Sequence, residues 1–261
     1  MASSAKEYWE GVNADIDGML GGVPSTNGFS YVSKVDLQGS RSFLAKLGIG
    51  KQNGRRRVAN ALEGGAGIGR ITQGLLVEVA DAVDAIEPVT KFVAPLQEVI
   101  GVRNVFNVGL EGWSPIEGTL YDLIWVQWCV GYLTDEQLVA FMKRCRAALN
   151  PDGGVMVVKE NLSTSGIDAL DEVDGCVTRV DSSFLSLFKE AGYMLPSRRL
   201  TNQTMGQAQG TRSSGRIPAL LVGERAIGER ARDYQGAVSA AGGAISAAGG
   251  RETQSAGKVL G

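Results

Sequence analysis

Three groups of residues in this chain have types and spacings that could do chemistry. The first is Arg57–Arg70, R-V-A-N-A-L-E-G-G-A-G-I-G-R. A short apolar run (Val58, Ala59, Ala61, Leu62) ends in an acid, Glu63, and glycines at Gly65, Gly67 and Gly69 follow, with a helical pattern beginning at Ile68. Glycines at a strand-to-helix turn let the backbone approach a ligand closely and take φ values that a Cβ penalises. The spacing narrows the ligand. A dinucleotide fingerprint needs glycine three residues after Gly67, where this chain has Arg70, and a P-loop needs a closing Gly-Lys-Ser/Thr. The second group is Glu87, which ends a predicted strand about twenty residues beyond the loop, where a carboxylate accepts both hydroxyls of a ribose. Asp84 suits that role less, because alternation puts it inside the strand. The third group is Gln127-Trp128 with Asn161, Asp171 and Asp174. Two carboxylates three residues apart near an aromatic platform suit a cationic or amine-bearing substrate; without a ligand they read as an exposed acidic loop.

An alternation of strand and helix patterns positions these groups. Ile71, Leu75, Leu76 and Val79 mark one helical face, Ala82–Glu87 a second strand, and Phe92, Leu96 and Val99 the next helix, with Pro95 inside it. Val102–Val108 reads as a third strand, followed by Gly109-Leu110-Glu111, where an adenine would lie. Tyr121–Trp128 is apolar and β-branched enough for a central parallel strand buried on both faces. Thr134-Asp135-Glu136-Gln137 is a capping box. The helix it opens carries a stripe of Leu138, Phe141, Met142, Cys145 and Leu149. Val155–Lys159 is a fifth strand, and Ser182–Ala191 an amphipathic helix. The expected fold is therefore α/β, a doubly wound and mostly parallel sheet with ligand sites at the carboxyl ends of its strands.

Residues 1–56 read as an N-terminal segment that covers the site. Tyr8-Trp9 and the sharp loop Asp17–Gly22 suggest a helical cap or lid, and Ser33–Leu47 a short helix. The main domain is expected over residues 57–200. In residues 201–261, Ala237–Gly243 is repeated almost letter for letter by Ala244–Gly250. Such a segment buries too little to offset its ordering entropy and is expected to be disordered, with Ile217–Val222 the one place for a strand.

Histidine is absent from all 261 residues, which excludes Ser-His-Asp triads, Cys-His pairs and HExxH zinc sites. Cys129, Cys145 and Cys176 have no CxxC spacing, so no metal is expected and the thiols read as reduced and buried. A formal net charge of -2 argues against binding a phosphate backbone as the main activity, so no nucleic-acid partner is expected. Met1–Glu10 lacks the apolar core of a secretory signal, and no stretch approaches the roughly 20 apolar residues of a membrane span. A soluble protein of the cytoplasm or nucleus is expected.

The glycine loop, acid-x-Gly-x-Gly-x-Gly over Glu63–Gly69, resembles the cofactor loop of S-adenosylmethionine-dependent methyltransferases. From about Tyr8 to Gly192 the chain resembles the eukaryotic protein α-N-terminal methyltransferases, which methylate the free amino terminus of proteins beginning Xaa-Pro-Lys. The likeness rests on Tyr8-Trp9, D-G-M-L-G-G at Asp17–Gly22 and G-A-G-I-G-R at Gly65–Arg70. It continues through I-W-V-Q-W-C-V-G-Y-L-T-D at Ile124–Asp135, K-E-N at Lys159–Asn161 and D-E-V-D at Asp171–Asp174. It implies a class I, Rossmann-like fold with a seven-stranded type of sheet. It also implies S-adenosylmethionine held by Gly65, Gly67, Arg70, Glu87, Leu110, Glu111 and Gln127. The substrate terminus would lie among Trp9, Leu20, Gly21 and Trp128, with Asn161 and Asp171 holding the amine and Asp174 taking its proton.

Two departures stand out. The family places a histidine credited with helping deprotonation where this chain has Tyr132, and its closing antiparallel strand pair is not matched after Leu200. A methyltransferase of the same fold acting on another amine or protein site is the alternative reading. A non-catalytic cofactor-binding relative is a third.

Overall fold

Apolar residues that alternate between two buried faces build the central sheet. The computed structural model describes residues 3–25, 29–52, 54–193 and 219–225. Its strands are β1 (Val58–Gly64), β2 (Ala80–Ile86), β3 (Val102–Phe106), β4 (Leu123–Gln127), β5 (Val155–Leu162), the short pair β6 (Ala169–Leu170) and β7 (Val177–Thr178), and β8 (Ala219–Arg225). Its helices are α1 (Ser3–Gly11), α2 (Ile16–Met19), α3 (Val32–Lys46), α4 (Val77–Val79), α5 (Thr90–Gln97), α6 (Asp135–Ala148) and α7 (Asp181–Glu190). Among the described residues the sheet has six strands, in the order β3-β2-β1-β4-β5-β8, and every neighbouring pair in it is parallel. This is the doubly wound α/β fold, with six described strands where a seven-stranded type was expected. None of the described helices is long and apolar enough to cross a membrane.

The alternation along β4 shows how the two layers form. Leu123 and Trp125 pack with Val157, with Phe43 and Leu44 of α3, and with Leu75, Leu76 and Val79. Ile124 and Val126 face the opposite way, onto Phe141, Met142 and Cys145 of α6 and Phe184 and Phe188 of α7. A strand covered on both faces has no solvent side, which is why L-I-W-V-Q has no polar alternation. Thr134 and Gln137 form the reciprocal capping box that starts α6.

Several boundaries shift for local reasons. The helix expected from Ile68 is delayed, because Gly67 and Gly69 sit at φ 56° and 88°, outside the right-handed helical region. A π-helical turn, Thr72–Leu76, then runs into α4. The segment expected as a short helix near Ser33 is the 15-residue α3. Phe43 and Leu44 of this helix pack into the core, so α3 belongs to the packed unit. The fifth strand runs on to Leu162 because β8 pairs with it as far as Leu162↔Arg225. Asn161 therefore lies inside β5 and not after it. β8 supplies the strand expected near Ile217–Val222, and it pairs parallel. The expected disorder of 201–261, like the Ala237–Gly250 repeat, lies otherwise outside the described residues.

Asp84 is fully buried in β2 and is structural. It accepts hydrogen bonds from Arg103 Nε (3.0 Å) and Nη2 (2.7 Å), Asn104 Nδ2 (3.0 Å) and the Tyr121 hydroxyl (2.7 Å). Arg103 reaches on to Asn60 Oδ1 at 2.9 Å, so one carboxylate ties β1, β2, β3 and the start of β4 together. Removing it strands a buried phenol and a half-covered guanidinium. Asp84→Ala should lower the unfolding free energy by about 3 kcal/mol, the lower end for a broken buried pair, because Arg103 can turn to water. Urea denaturation checks this, and an unchanged midpoint would reject the structural role.

Candidate active site

The strand order reverses between β1 and β4, and the crevice beyond their carboxyl ends is the expected ligand site of such a sheet. An open cleft lies there. The glycine loop forms its floor. Gly65 (φ 68°) and Gly67 (φ 56°) both occupy the left-handed region. A Cβ on Gly65 would lie 2.6 Å from Cys129 Sγ, and one on Gly67 2.6 Å from Met19 Sδ. The φ at both positions requires glycine, and at Gly65 the Cys129 side chain also leaves no room for a Cβ. Gly65 and Ala66 donate their N–H groups to Ile86 O at 2.9 and 3.0 Å, which fixes the turn against β2.

Glu87 follows β2 and faces this loop. Its Oε2 accepts from Gly67 N at 2.7 Å and its Oε1 from Val89 N at 2.8 Å. Burial pushes its carboxyl up to about 7, against those two backbone hydrogen bonds. Across the cleft, Arg144 of α6 donates to the carbonyls of Leu110 and Glu111, each at 2.9 Å, and so holds the loop that follows β3. Glu63 also lines the cleft; Thr72 Oγ1 donates to it, and burial raises its carboxyl to about 8.

At the other end stands Trp128, the one non-glycine residue with positive φ (55°) among those described. Strain of this kind persists where the surroundings over-determine it. Its backbone N–H donates to Lys159 O at 3.0 Å. Arg70 sits 5.2 Å and Lys159 Nζ 5.6 Å from its ring centroid. Trp9 of α1 meets Tyr132 edge-on at 6.2 Å. The Tyr132 hydroxyl donates to Asp174 Oδ2 at 2.7 Å, and Cys176 N to Asp174 Oδ1 at 2.8 Å. Burial and then the Asp174 carboxylate hold the phenol well above its ordinary range, so it stays protonated and donates.

The cleft gathers all seven residues expected to hold a cofactor (Gly65, Gly67, Arg70, Glu87, Leu110, Glu111 and Gln127), together with Trp9, Trp128 and Tyr132. Leu20 and Gly21 are not in its wall. The segment reaches the cleft through Met19 instead, because Leu20 turns inward to be buried and Gly21 lies in the exposed turn after α2. Asn161, Asp171 and Asp174 also lie outside the wall; Asp174 reaches it through Tyr132. Asn161 Oδ1 is buried without a hydrogen-bond partner. Asp171 sits exposed in the turn between β6 and β7, accepting from Val173 N at 2.8 Å. Among the described residues no group of His, Cys, Asp or Glu could hold a metal ion.

Sequence reasoning missed Asp36, a buried acid on α3. It accepts from Arg70 Nη1 at 2.6 Å and from Gln127 Nε2 at 3.0 and 3.1 Å, and it pairs with Lys159 Nζ. No local signal marks it, because its partners lie 34, 91 and 123 residues away. Arg144 escaped for the same reason, whereas Met19 lies inside the D-G-M-L-G-G stretch that the sequence did mark.

The donor set fits S-adenosylmethionine: a glycine floor with no room for a Cβ at Gly65, an acid for ribose hydroxyls, an apolar wall for the base and a guanidinium for a carboxylate. Because ribose hydroxyls donate to an ionised carboxylate, Glu87 must lose its proton to bind them. Its ionised fraction falls as pH drops through about 7, so affinity should weaken about tenfold from pH 8 to pH 6. Glu87→Gln should bind weakly at pH 8 and flatten this dependence. Calorimetric titration across that range checks both, and a pH-independent wild-type affinity would remove Glu87 from ribose binding.

Known proteins agree with this arrangement. A curated Schizosaccharomyces pombe protein, alpha N-terminal protein methyltransferase 1, is 40% identical over 200 residues, covering 76% of this chain and 87% of its own. The Xenopus tropicalis N-terminal Xaa-Pro-Lys N-methyltransferase 1 is 39% identical over 198 residues, covering 73% and 84%. A solved Leishmania major SAM-dependent methyltransferase superposes with a TM-score of 0.62 at 38% identity, covering 72% of this chain and 71% of its own. The sequence model of the AdoMet-dependent proline di-methyltransferases matches residues 1–205. With that match over most of its length, and a cleft built to its chemistry, this chain belongs to the AdoMet-dependent proline di-methyltransferase family.

Proposed function

We propose that this protein methylates the free α-amino group of proteins that begin Xaa-Pro-Lys. The observation that carries the reading is the single cleft joining the glycine floor and Glu87 at one end to Trp9, Trp128 and Tyr132 at the other. The relatives' names point to the same substrate, since the Xenopus tropicalis and Bos taurus proteins are called N-terminal Xaa-Pro-Lys N-methyltransferases.

When bound, S-adenosylmethionine supplies an electrophilic methyl group on a sulfonium. The chain's own residues then have two tasks: to hold a neutral amine in line with that methyl, and to give its proton a route. An α-amine has a pKa of roughly 7.7–8.0, so a usable fraction is neutral near pH 7 and the site needs orientation more than pKa tuning. Trp128 offers a flat apolar wall for the ring of a second-position proline, which has a fixed φ and little entropy to lose. Asn161 Oδ1, buried and unpartnered, is available to accept from the incoming ammonium or amine. Asp174 is the proton acceptor, oriented by the phenol of Tyr132 at 2.7 Å. Tyr132 stays a donor and does not serve as a base. Asp171 and Glu172, exposed in the turn between β6 and β7, suit a third-position lysine.

Peptides beginning Ala-Pro-Lys or Ser-Pro-Lys should gain up to three methyl groups on the terminal nitrogen. Acetylating the terminus should abolish transfer, since an amide nitrogen has no available lone pair, and a third-position glutamate should nearly abolish it by like-charge repulsion. Mass spectrometry beside an internal-lysine control decides the matter. Methylation of the internal lysine with an untouched terminus would overturn the reading in favour of another amine substrate.

Tyr132→Phe should lower kcat roughly two- to tenfold, the worth of one hydrogen bond. Tyr132→His should preserve or raise it, because imidazole can both orient Asp174 and take a proton. Steady-state kinetics with the Ser-Pro-Lys peptide check this; complete inactivity of folded Tyr132→His would show that the position works differently here.

A further inference from the structure

Asp36 lies on α3, outside every element that carries the cofactor loop or the substrate end, yet it binds to both. Its side chain is buried together with those of Arg70 and Lys159. Arg70 comes from the glycine loop, Gln127 from the end of β4 and Lys159 from β5. Asp36 accepts from the first at 2.6 Å and from the second at 3.0 and 3.1 Å, and it is ion-paired with the third. Ser40, one helical turn on, lies 3.2 Å from Lys159 Nζ and holds it from the same helix face. Burial opposes ionisation of Asp36, but Lys159 and Arg70 together outweigh it and keep the carboxyl below its usual range.

The two cations that converge on this carboxylate are also the two that flank Trp128, at 5.2 and 5.6 Å from its ring. Arg70 lines the wall at this end of the cleft, and its guanidinium complements an amino-acid carboxylate. An unanchored guanidinium would instead keep several rotamers, and each would be lost on binding.

We propose that Asp36 is a positioning residue of the methyl-transfer site. It aims the Arg70 guanidinium at the carboxylate of the cofactor's amino-acid moiety and, through Arg70 and Lys159, fixes the Trp128 indole. Asp36 acts through these residues and touches neither substrate. The inference rests on the methyltransferase reading above.

The test is calorimetric titration of the full-length protein with S-adenosylmethionine and S-adenosylhomocysteine, as wild type and as Asp36→Asn. Wild type that binds neither compound overturns the methyltransferase reading and this inference with it. With wild type binding, Asp36→Asn should bind both at least tenfold more weakly, and its KM for the cofactor should rise by more than its kcat falls. Asp36→Glu, which keeps the charge, should recover most of the affinity. Near-ultraviolet circular dichroism supplies a readout of the indole. The difference between wild type and Trp128→Phe should largely vanish when both carry Asp36→Asn. A role confined to holding α3 on the sheet would lower Tm while leaving cofactor affinity and the Trp128 signal in place. Folded Asp36→Asn with a Kd within twofold of wild type and an unchanged Trp128 signal overturns the proposal. Should Asp36→Asn fail to fold, Asp36→Asn/Lys159→Gln conserves the formal charge and carries the same test. Weakened binding supports the inference and wild-type affinity rejects it.

Discussion

The structure depends on one buried carboxylate having its counter-charges. Asp36 and its partners Arg70 and Lys159 are all nearly excluded from water, and an isolated charge in that setting would cost several kcal/mol. The pairing of these three brings α3 against the ends of β4 and β5 and the loop after β1 at once. The helix that completes the apolar layer over Trp125 and Val157 is the same helix that gathers the polar groups under the cleft. Packing and chemistry are set by one docking event.

A second constraint is the density of acids at the carboxyl ends of the strands. Glu63 and Glu160 lie near the ends of β1 and β5 and Glu87 directly follows β2, and burial is the main cause that raises each carboxyl, to about 8 for Glu63 and about 7 for Glu87 and Glu160. Each has hydrogen-bond donors: Thr72 for Glu63, Gly67 and Val89 for Glu87, Val130 and Asn161 for Glu160. Glu63 and Glu87 line the cleft, and groups poised near neutrality there are a mark of a working site. They can change protonation when a ligand brings donors or charge, at little further cost.

The N-terminal segment is held in place by backbone carbonyls as much as by apolar contact. Lys91 of α5 donates to Glu10 O and Val12 O at the end of α1, where free carbonyls and the helix dipole favour a cation. Asp15 caps α2, and Asp17 fastens the loop after it through Ser25 N at 2.8 Å. These ties place Trp9 against Tyr132 and Met19 against Gly67, so that α1 and α2 contribute to the wall of the cleft. The D-G-M-L-G-G stretch thus works as a fastened corner whose methionine, not its following leucine and glycine, meets the cofactor loop.

The amino-acid sequence by itself determined the features that depend on near neighbours. Periodicity marked β1 to β5 and α6. The Thr134–Gln137 spacing gave the start of α6. The glycines at 65 and 67 announced a turn that only glycine can make, and Glu87 its acid. Each follows from backbone sterics or from contacts within a few residues, which are the same in any fold. What needed the tertiary structure depends on partners far along the chain. Alternation already set Asp84 inside β2 and Glu87 at its end, but the partners that make Asp84 structural, Arg103, Asn104 and Tyr121, needed the tertiary structure. Asn161 falls inside β5 because β8, more than fifty residues later, extends the pairing to Leu162. Asp36 carries no local pattern, for its meaning arises only when residues 34, 91 and 123 positions away arrive at its carboxylate. A buried charge is specified by whatever neutralises it, and in this chain those groups meet only once the sheet has formed.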